Sequence, residues 1–310
     1  MKAIVYSEYG PPDVFKVKDM PKPSPKDDEV LIKVEAVSVN FGDIIARNFG
    51  NISSREFNMP FLIWIFAKLS FGLRTPRIRI LGNSFSGVIE QTGVKVKQFR
   101  PGDSVFGYTG EKMGAYAEYL CMHENGLVAY KPSNISHEEA SAIPYGALMA
   151  FCLLKKVNII RGQKVLIAGA SGGIGSAAVQ LVRNHFGAEV TGVCSTGSMD
   201  YVKDLGAGKV IDYKNDDFSG NRETCDHIID VLGKRSWSSY KSSLNQNGTC
   251  LLVSFKTKKL FCMAWTSIFC NKKLICALAS PQSDDLKFIK VLVRSEERRV
   301  GKECRYRWEP

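Results

Sequence analysis

KVLIAGASGGIGSAAVQLV, residues 164–182, is the stretch on which the fold turns. KVLIAG reads as a short apolar strand, SAAVQLV has the alanine and leucine content of a helix, and glycine-rich GASGGIG stands between them. A strand, a glycine turn and a helix make a phosphate site, because the first amides of a helix lack intrahelical partners and sit at the positive end of the peptide dipoles. Gly172 lets the backbone approach a pyrophosphate, and Gly175 lets the helix pack close to the strand. Ala170 stands where the first glycine of a G-x-G-x-x-G pattern usually falls, and Ser171, Gly173 and Ile174 complete the candidate cradle. The motif alone fits any glycine-rich turn; its flanks narrow the reading. AEVTGVCS, KVIDY, HIIDVLG and TCLLVSF follow as further strands at the intervals of repeated β-α units. The expected fold class is α/β, with a doubly wound parallel sheet.

A chain of 310 residues with 45% hydrophobic content is long enough for about two domains. MKAIVYSEYG opens as an alternating strand and not as a basic segment before an apolar core, so no secretory signal is expected. FLIWIFAKLSFGL, at 61–73, is interrupted by Lys68 and falls short of the roughly 20 residues of a membrane span. Nine cysteines occur without a C-x-x-C pair, which points to reduced thiols and a cytoplasmic setting. The net charge of +11 is spread along the chain without a basic stripe or arrayed aromatics, so no specific nucleic-acid partner is expected. Residues 1–125 differ in texture: VLIKVEAVSVN, GVIEQTG, DSVFGY and AYAEYLCM are short strands separated by turns such as YGPPD and RPGD. FNMPFLIWIFAKLSFGLRTPRIRI is longer than a simple connection requires. It reads as an amphipathic helix completing the β-rich core or as a lid for a lipophilic substrate.

MKAIVYSEYGPPDVF, VSVNFGDI, LGNSFSGVIEQTG, PGDSVFG, GAYAEY, IPYGALMAF and GQKVLIAGASGGIGSAAVQL resemble, in order and spacing, the medium-chain dehydrogenase/reductase superfamily. Within it they resemble the zinc-free quinone oxidoreductase group, over residues 1–293. The resemblance implies a GroES-like catalytic and substrate module at 1–125 and a Rossmann NADP-binding domain at 126–293. Alcohol dehydrogenases of the superfamily hold zinc with a Cys at the position of Asn40 and a His-Glu pair at those of Asn83 and Ser84, and Asn and Ser are poor zinc ligands. The implied reaction is therefore zinc-independent hydride transfer from NADPH to a quinone or α,β-unsaturated carbonyl. An electrophilic carbon conjugated to a carbonyl needs only hydrogen-bond help at its oxygen.

An NAD site places an acid about 20 residues beyond the glycines. This chain has Val193, Cys194, Ser195, Thr196 and Gly197 there, so small hydroxyls tolerate a 2′-phosphate and NADP(H) is the expected cofactor. Lys203 and Tyr213 are the candidate phosphate contacts, with a half-buried strand position as the other reading of Tyr213. In the substrate site the resemblance points to Asn40 as an amide donor and to Asp43 as a catalytic or loop-fixing carboxylate, with Arg47 a candidate partner. Tyr145 is a candidate catalytic group or a core residue. Ile45 replaces a tyrosine and Met149 a threonine of many relatives. Relatives commonly pair as dimers through sheet edges, which implies a homodimer. The alternatives to a reductase are a non-catalytic NADPH-binding protein and an RNA-binding one. RSEERRVGKECRYRWEP, 294–310, has no apolar periodicity and is expected to be a foreign or disordered tail in place of a native return segment.

Overall fold

The computed structural model describes residues 1–216 and 224–294. The tail expected from 294 onward lies outside the described residues, apart from the backbone of Arg294. Two compact units form: one holds Met1–Ser53, Trp64–Leu148 and the segment from Pro281, the other Ser54–Ile63 and Met149–Ser280.

The first unit is built on antiparallel strands. β1 (Lys2–Val5) alternates, with Ala3 and Val5 buried, and pairs with β2 (Lys16–Asp19). β3 (Glu29–Ser38), β4 (Ser84–Thr92), β5 (Ser104–Tyr108), β6 (Tyr119–His123) and β7 (Val128–Tyr130) make a five-stranded sheet in the order β6-β3-β4-β5-β7. β-Branched and aromatic residues suit these strands, since their stiff side chains pack well on a pleated surface. Val30, Ile32, Phe85, Ile89, Val105, Leu120 and Val128 form the core, and each fully buried aliphatic contributes about 1.5–3 kcal/mol. α1 (Phe41–Arg47) follows β3, and α2 (Phe61–Phe71) and α3 (His137–Leu154) come later. The register pairs Ser84 of β4 with Ser38 of β3 and with Tyr108 of β5. The C-terminal ends of β3 and β5 therefore meet the start of β4 at one end of the sheet.

The apolar stretch at 61–73 is a helix, but its one buried residue is Lys68, whose Nζ donates to the carbonyls of Phe49 and Gly50 at 2.9 and 2.7 Å. Phe71 packs against Phe49, whereas Leu62 and Phe66 are each 67% exposed. The helix thus joins the interior along a single face, around an amine whose protonation burial disfavours.

The second unit is an all-parallel sheet. β8 (Lys164–Ala168), α4 (Gly173–Gln180), β9 (Glu189–Cys194), α5 (Met199–Asp204), β10 (Lys209–Asp212), β11 (Cys225–Asp230), α6 (Trp237–Ser243), β12 (Leu244–Leu252), α7 (Thr257–Phe269) and β13 (Lys273–Cys276) alternate along the chain. The strand order is β10-β9-β8-β11-β12-β13, the doubly wound order expected from the sequence, with its switch point between β8 and β11. Strands covered on both faces read as continuous apolar runs, as VLIA of β8 does. Leu166, Val193, Ile228, Tyr240, Leu252 and Leu274 lie in the core. Tyr240 is fully buried and its hydroxyl donates to Asp230 Oδ2 at 2.6 Å. Asp230 Oδ1 accepts from the amides of Leu232 and Gly233, so one carboxylate ties the end of β11 to α6. The sequence places a helix over SAAVQLV; α4 passes at Leu181 into a π turn that runs to His185. α8 (Ser283–Arg294) belongs to the first unit, where it buries Leu286, Ile289 and Val293 at helical spacing, and Asn134 Nδ2 donates to the Val293 carbonyl at 3.2 Å.

Candidate functional site

Gly169, directly after β8, has φ +83°, a left-handed conformation that a side chain would strain. This turns the chain so that the amides of Gly169 and Ala170 both donate to the Val193 carbonyl of β9, at 3.0 and 3.1 Å, with Ala170 fully buried. Ser171 is half-buried. Gly172 caps α4 in an extended conformation and provides no side-chain cap, and no acidic residue sits in the first turn. Gly172 and Gly173 are exposed and Ile174 is half-buried. Gly175 is buried, and a Cβ there would lie 2.0 Å from the Gly169 carbonyl oxygen. The helix therefore presses on the turn while its N-terminal amides remain uncapped by side chains, a cradle that fits a pyrophosphate.

Ser195 and Thr196 follow β9, and Tyr213 follows β10, so all three stand at the C-terminal edge of neighbouring parallel strands. The Tyr213 amide donates to the Cys194 carbonyl at 3.1 Å and its side chain is exposed. Ser195 and Ser198 hydroxyls are 3.4 Å apart. Lys203 is exposed on α5, with its amine 3.9 Å from Asp200. Asp212, the last residue of β10, escaped the sequence reading, which sought an acid only after β9. Its carboxylate accepts from Thr196 Oγ1 at 2.6 Å, Asn215 Nδ2 at 2.8 Å and the Lys214 amide at 3.0 Å. The Thr196 hydroxyl and the Lys214 amide hold it below the usual carboxylate range, against some desolvation. The signal was the D of KVIDY, the single acid closing the third strand.

In the first unit, Asp43 is buried in α1 and accepts from the Asn40 amide at 2.9 Å and the Gly82 amide at 3.1 Å. Burial pushes its carboxyl up, while these two amides and Tyr116 act in the opposite direction. The carboxylate thus clamps the start of α1 to the strand-entering turn at Gly82; Arg47 Nε donates instead to the Gly10 carbonyl. Asn40 Nδ2 donates to Asn83 Oδ1 at 3.0 Å and to Ser38 Oγ at 3.2 Å. Asn83 Oδ1 also accepts from Ser84 Oγ at 3.4 Å, and the Asn83 carbonyl accepts from the Thr109 amide at 2.7 Å.

A Cβ at Gly42 would lie 3.5 Å from Asn83 Nδ2 and 4.0 Å from Tyr145 Cε2, so the asparagine, the tyrosine and the first turn of α1 are neighbours. Tyr145 is half-buried, its ring centroid 6.4 Å from that of Tyr108. Burial pushes both phenols above their usual range, followed by the charge of Asp43 at Tyr145 and by Tyr145 and then Asp43 at Tyr108. Both rings are therefore protonated at neutral pH. Tyr108 was missed in the sequence, where DSVFGY read only as a strand.

Asn40, Asn83 and Ser84 are joined by hydrogen bonds, and the donor set does not fit zinc. It offers amides and a hydroxyl in place of thiolate, imidazole and carboxylate. Among the described residues no three His, Cys, Asp or Glu side chains come together as a metal site. The eight described cysteines are free, and no described helix is long and apolar enough to cross a membrane.

Two family models match: the alcohol dehydrogenase GroES-like domain over residues 26–133 and the zinc-binding dehydrogenase over 173–291. The chain is 30% identical to the quinone-oxidoreductase homolog, chloroplastic, of Spinacia oleracea, covering 96% of this chain and 88% of that protein. It is 33% identical to 2-methylene-furan-3-one reductase of Solanum lycopersicum over 76% of this chain, and spans 58% of that protein's length. It is 31% identical to the NADPH-dependent alkenal/one oxidoreductase, chloroplastic, of Arabidopsis thaliana over 75% of this chain, again spanning 58% of the relative. The solved quinone oxidoreductase of Coxiella burnetii superposes with a TM-score of 0.78 at 28% identity, covering 95% of this chain and 87% of that one.

Proposed function

The chain belongs to the medium-chain dehydrogenase/reductase superfamily, in its quinone-oxidoreductase-like group, and from that premise we propose that it is an NADPH-dependent reductase of quinones or α,β-unsaturated carbonyls that works without zinc. The observation that carries the reading is the amide and hydroxyl network of Asn40, Asn83 and Ser84, at the positions where zinc-dependent members hold their metal. A site without a Lewis acid suits substrates whose carbon is already electrophilic, because little charge stabilisation is then asked of the protein.

The uncapped amides at Gly173, Ile174 and Gly175 would receive the pyrophosphate, and Ser195, Thr196 and Tyr213 the phosphorylated ribose. Bound NADPH supplies the hydride from C4 of its nicotinamide. An amide donor of the layer that Asn40 and Asn83 build polarises the substrate oxygen, so that electron density moves there from the conjugated system. Asp43, clamping Asn40 and Gly82, fixes that layer. The protonated phenols of Tyr108 and Tyr145 support the donor side, and a proton reaches the product carbon or oxygen from them or from water. The quinone and enone names of the relatives, and NADPH in one of them, support the substrate class and the cofactor.

The test is NADPH oxidation followed at 340 nm over a panel of quinones and enones of graded lipophilicity, with and without a chelator. Chelator-insensitive turnover of at least one class is expected. Intact NADPH binding with no oxidation across the panel would overturn the reading in favour of a non-catalytic nucleotide-binding protein.

A further inference from the structure

Both amide hydrogens of Asn40 are engaged by protein acceptors, Asn83 Oδ1 on one side and Ser38 Oγ with the Ser38 carbonyl on the other. Nothing is left on that amide for a substrate. Asn83 is arranged the other way: its Oδ1 accepts from Asn40 and Ser84, which fixes its amide plane, while its Nδ2 donates to no atom among the described residues. Among the described residues, Asn83 Nδ2 is not one of the sealed side-chain polar atoms without a partner, so it is not closed off. Half-buried Gly42 lies against it: its missing Cβ leaves room for an atom 3.5 Å from Nδ2 and 4.0 Å from Tyr145 Cε2.

We infer that Asn83 Nδ2 is the donor that holds the substrate's carbonyl oxygen as negative charge develops on it, and that Asn40 is a positioning residue acting through Asn83. The inference rests on the reductase reading and names the atom that reading leaves open. An amide N–H already held in place costs no reorganisation when the charge appears, which is the condition under which such donors are most effective. A charged side chain is unnecessary, because the oxygen of an enone or quinone becomes an enolate or phenolate, whose charge is spread over the conjugated system. Asn83, 3% exposed, offers its hydrogen from a mostly dry wall.

Three variants separate this donor from a structural role. Asn83→Asp keeps the shape and the acceptor for Asn40 but replaces the donor by an oxygen. It should lower kcat by about 100-fold with KM and NADPH affinity changed less than about threefold, the loss expected for removing one oxyanion donor. Gly42→Ala adds a methyl at ordinary contact distance in a helix, so it should melt no lower than the parent yet raise KM by crowding the oxygen. Asn40→Ala should lower kcat by about tenfold in the parent and have no further effect in the Asn83→Asp background, because coupled residues are non-additive.

A fourth measurement needs no turnover: 4-nitrophenolate, a stable mimic of the enolate, should bind the NADP⁺ form of Asn83→Asp at least tenfold more weakly than the parent. Unchanged 4-nitrophenolate binding, or a kcat for Asn83→Asp within twofold of the parent, would overturn the assignment. Absence of parent turnover, with binding still sensitive to Asn83, would overturn the reductase reading and leave the oxygen subsite standing.

Discussion

Alanine at Gly175 and alanine at Gly172 should do opposite things, although the two glycines are three residues apart in one turn. The added Cβ at Gly175 would sit 2.0 Å from the Gly169 carbonyl oxygen, 2.7 Å from its carbon and 2.9 Å from Ala170 Cα, all backbone atoms. Carbon and oxygen normally approach to about 3.3–3.6 Å, so helix and turn must separate by more than about 1 Å. The turn cannot yield freely, because Gly169 and Ala170 are both bonded to Val193. Overpacking of this kind costs about 1–3 kcal/mol, offset in part by the roughly 1 kcal/mol that alanine gains over glycine in a helix. Because every clashing atom is backbone the cost falls at the upper end, and the net loss of about 2 kcal/mol should lower Tm by about 4–8 °C, at about 2–4 °C per kcal/mol.

At Gly172 the same methyl would lie 3.5 Å from the nearest atom, in a backbone conformation open to any residue. The apo protein should therefore melt within about 3 °C of the parent, the loss being that of a poorer helix cap. The methyl, however, occupies the space a pyrophosphate needs, and the NADPH Kd should rise at least about tenfold, or 1.4 kcal/mol. Thermal melts without nucleotide and titration of NADPH fluorescence measure the two effects separately. Equal melting of Gly175→Ala and the parent would refute the packing argument, and parent-like NADPH affinity in Gly172→Ala would refute the cradle.

NADPH should bind more tightly than NADH, and Ser195→Asp should reverse the order by accepting from the 2′-hydroxyl and repelling a 2′-phosphate; paired titrations decide it. Turnover should survive exhaustive chelation, and metal analysis showing near one zinc per chain with activity lost on chelation would contradict the donor-set argument. Tyr240→Phe should cost about 1–3 kcal/mol in the denaturant midpoint, since Asp230 then loses a buried donor. Asp212 has a depressed pKa, so its contribution to stability is present above the unfolded carboxylate value and is lost as pH falls through the folded one. The Tm gap between the parent and Thr196→Ala should accordingly be constant at neutral pH and close below about pH 4.

The nucleotide unit was legible because each of its strands is a short run of apolar residues ending in glycine, acid or a small hydroxyl, and period and punctuation agree. AEVTGVCS, KVIDY, HIIDVLG and TCLLVSF all became strands of the parallel sheet. What escaped was decided by pairing across sequence. Tyr108 comes beside Ser84 through the register of β5 on β4, and nothing within DSVFGY announces it. The inward turn of Lys68 is set by two carbonyls about one helix away, at Phe49 and Gly50, so a hydropathy pattern places it outside. Asn40 and Asn83 are 43 residues apart, and only the resemblance to a metal-binding arrangement put them at one place. Even then, the direction of each amide, which decides which one is free to donate, exists only in the folded network.

The same network bears on how a metal site could be built here. Asn40→Cys, Asn83→His or Ser84→Glu, made singly, would each break at least one of the hydrogen bonds that Asn83 makes with Asn40 and Ser84. Each would return only one of the three protein ligands a catalytic zinc requires. No single step from the present side chains is rewarded by metal affinity, while the first is penalised by an unpaired polar group in a mostly buried wall. Building a metal site into this network is in this sense an all-or-none change: several coordinated substitutions are needed before any of them is rewarded.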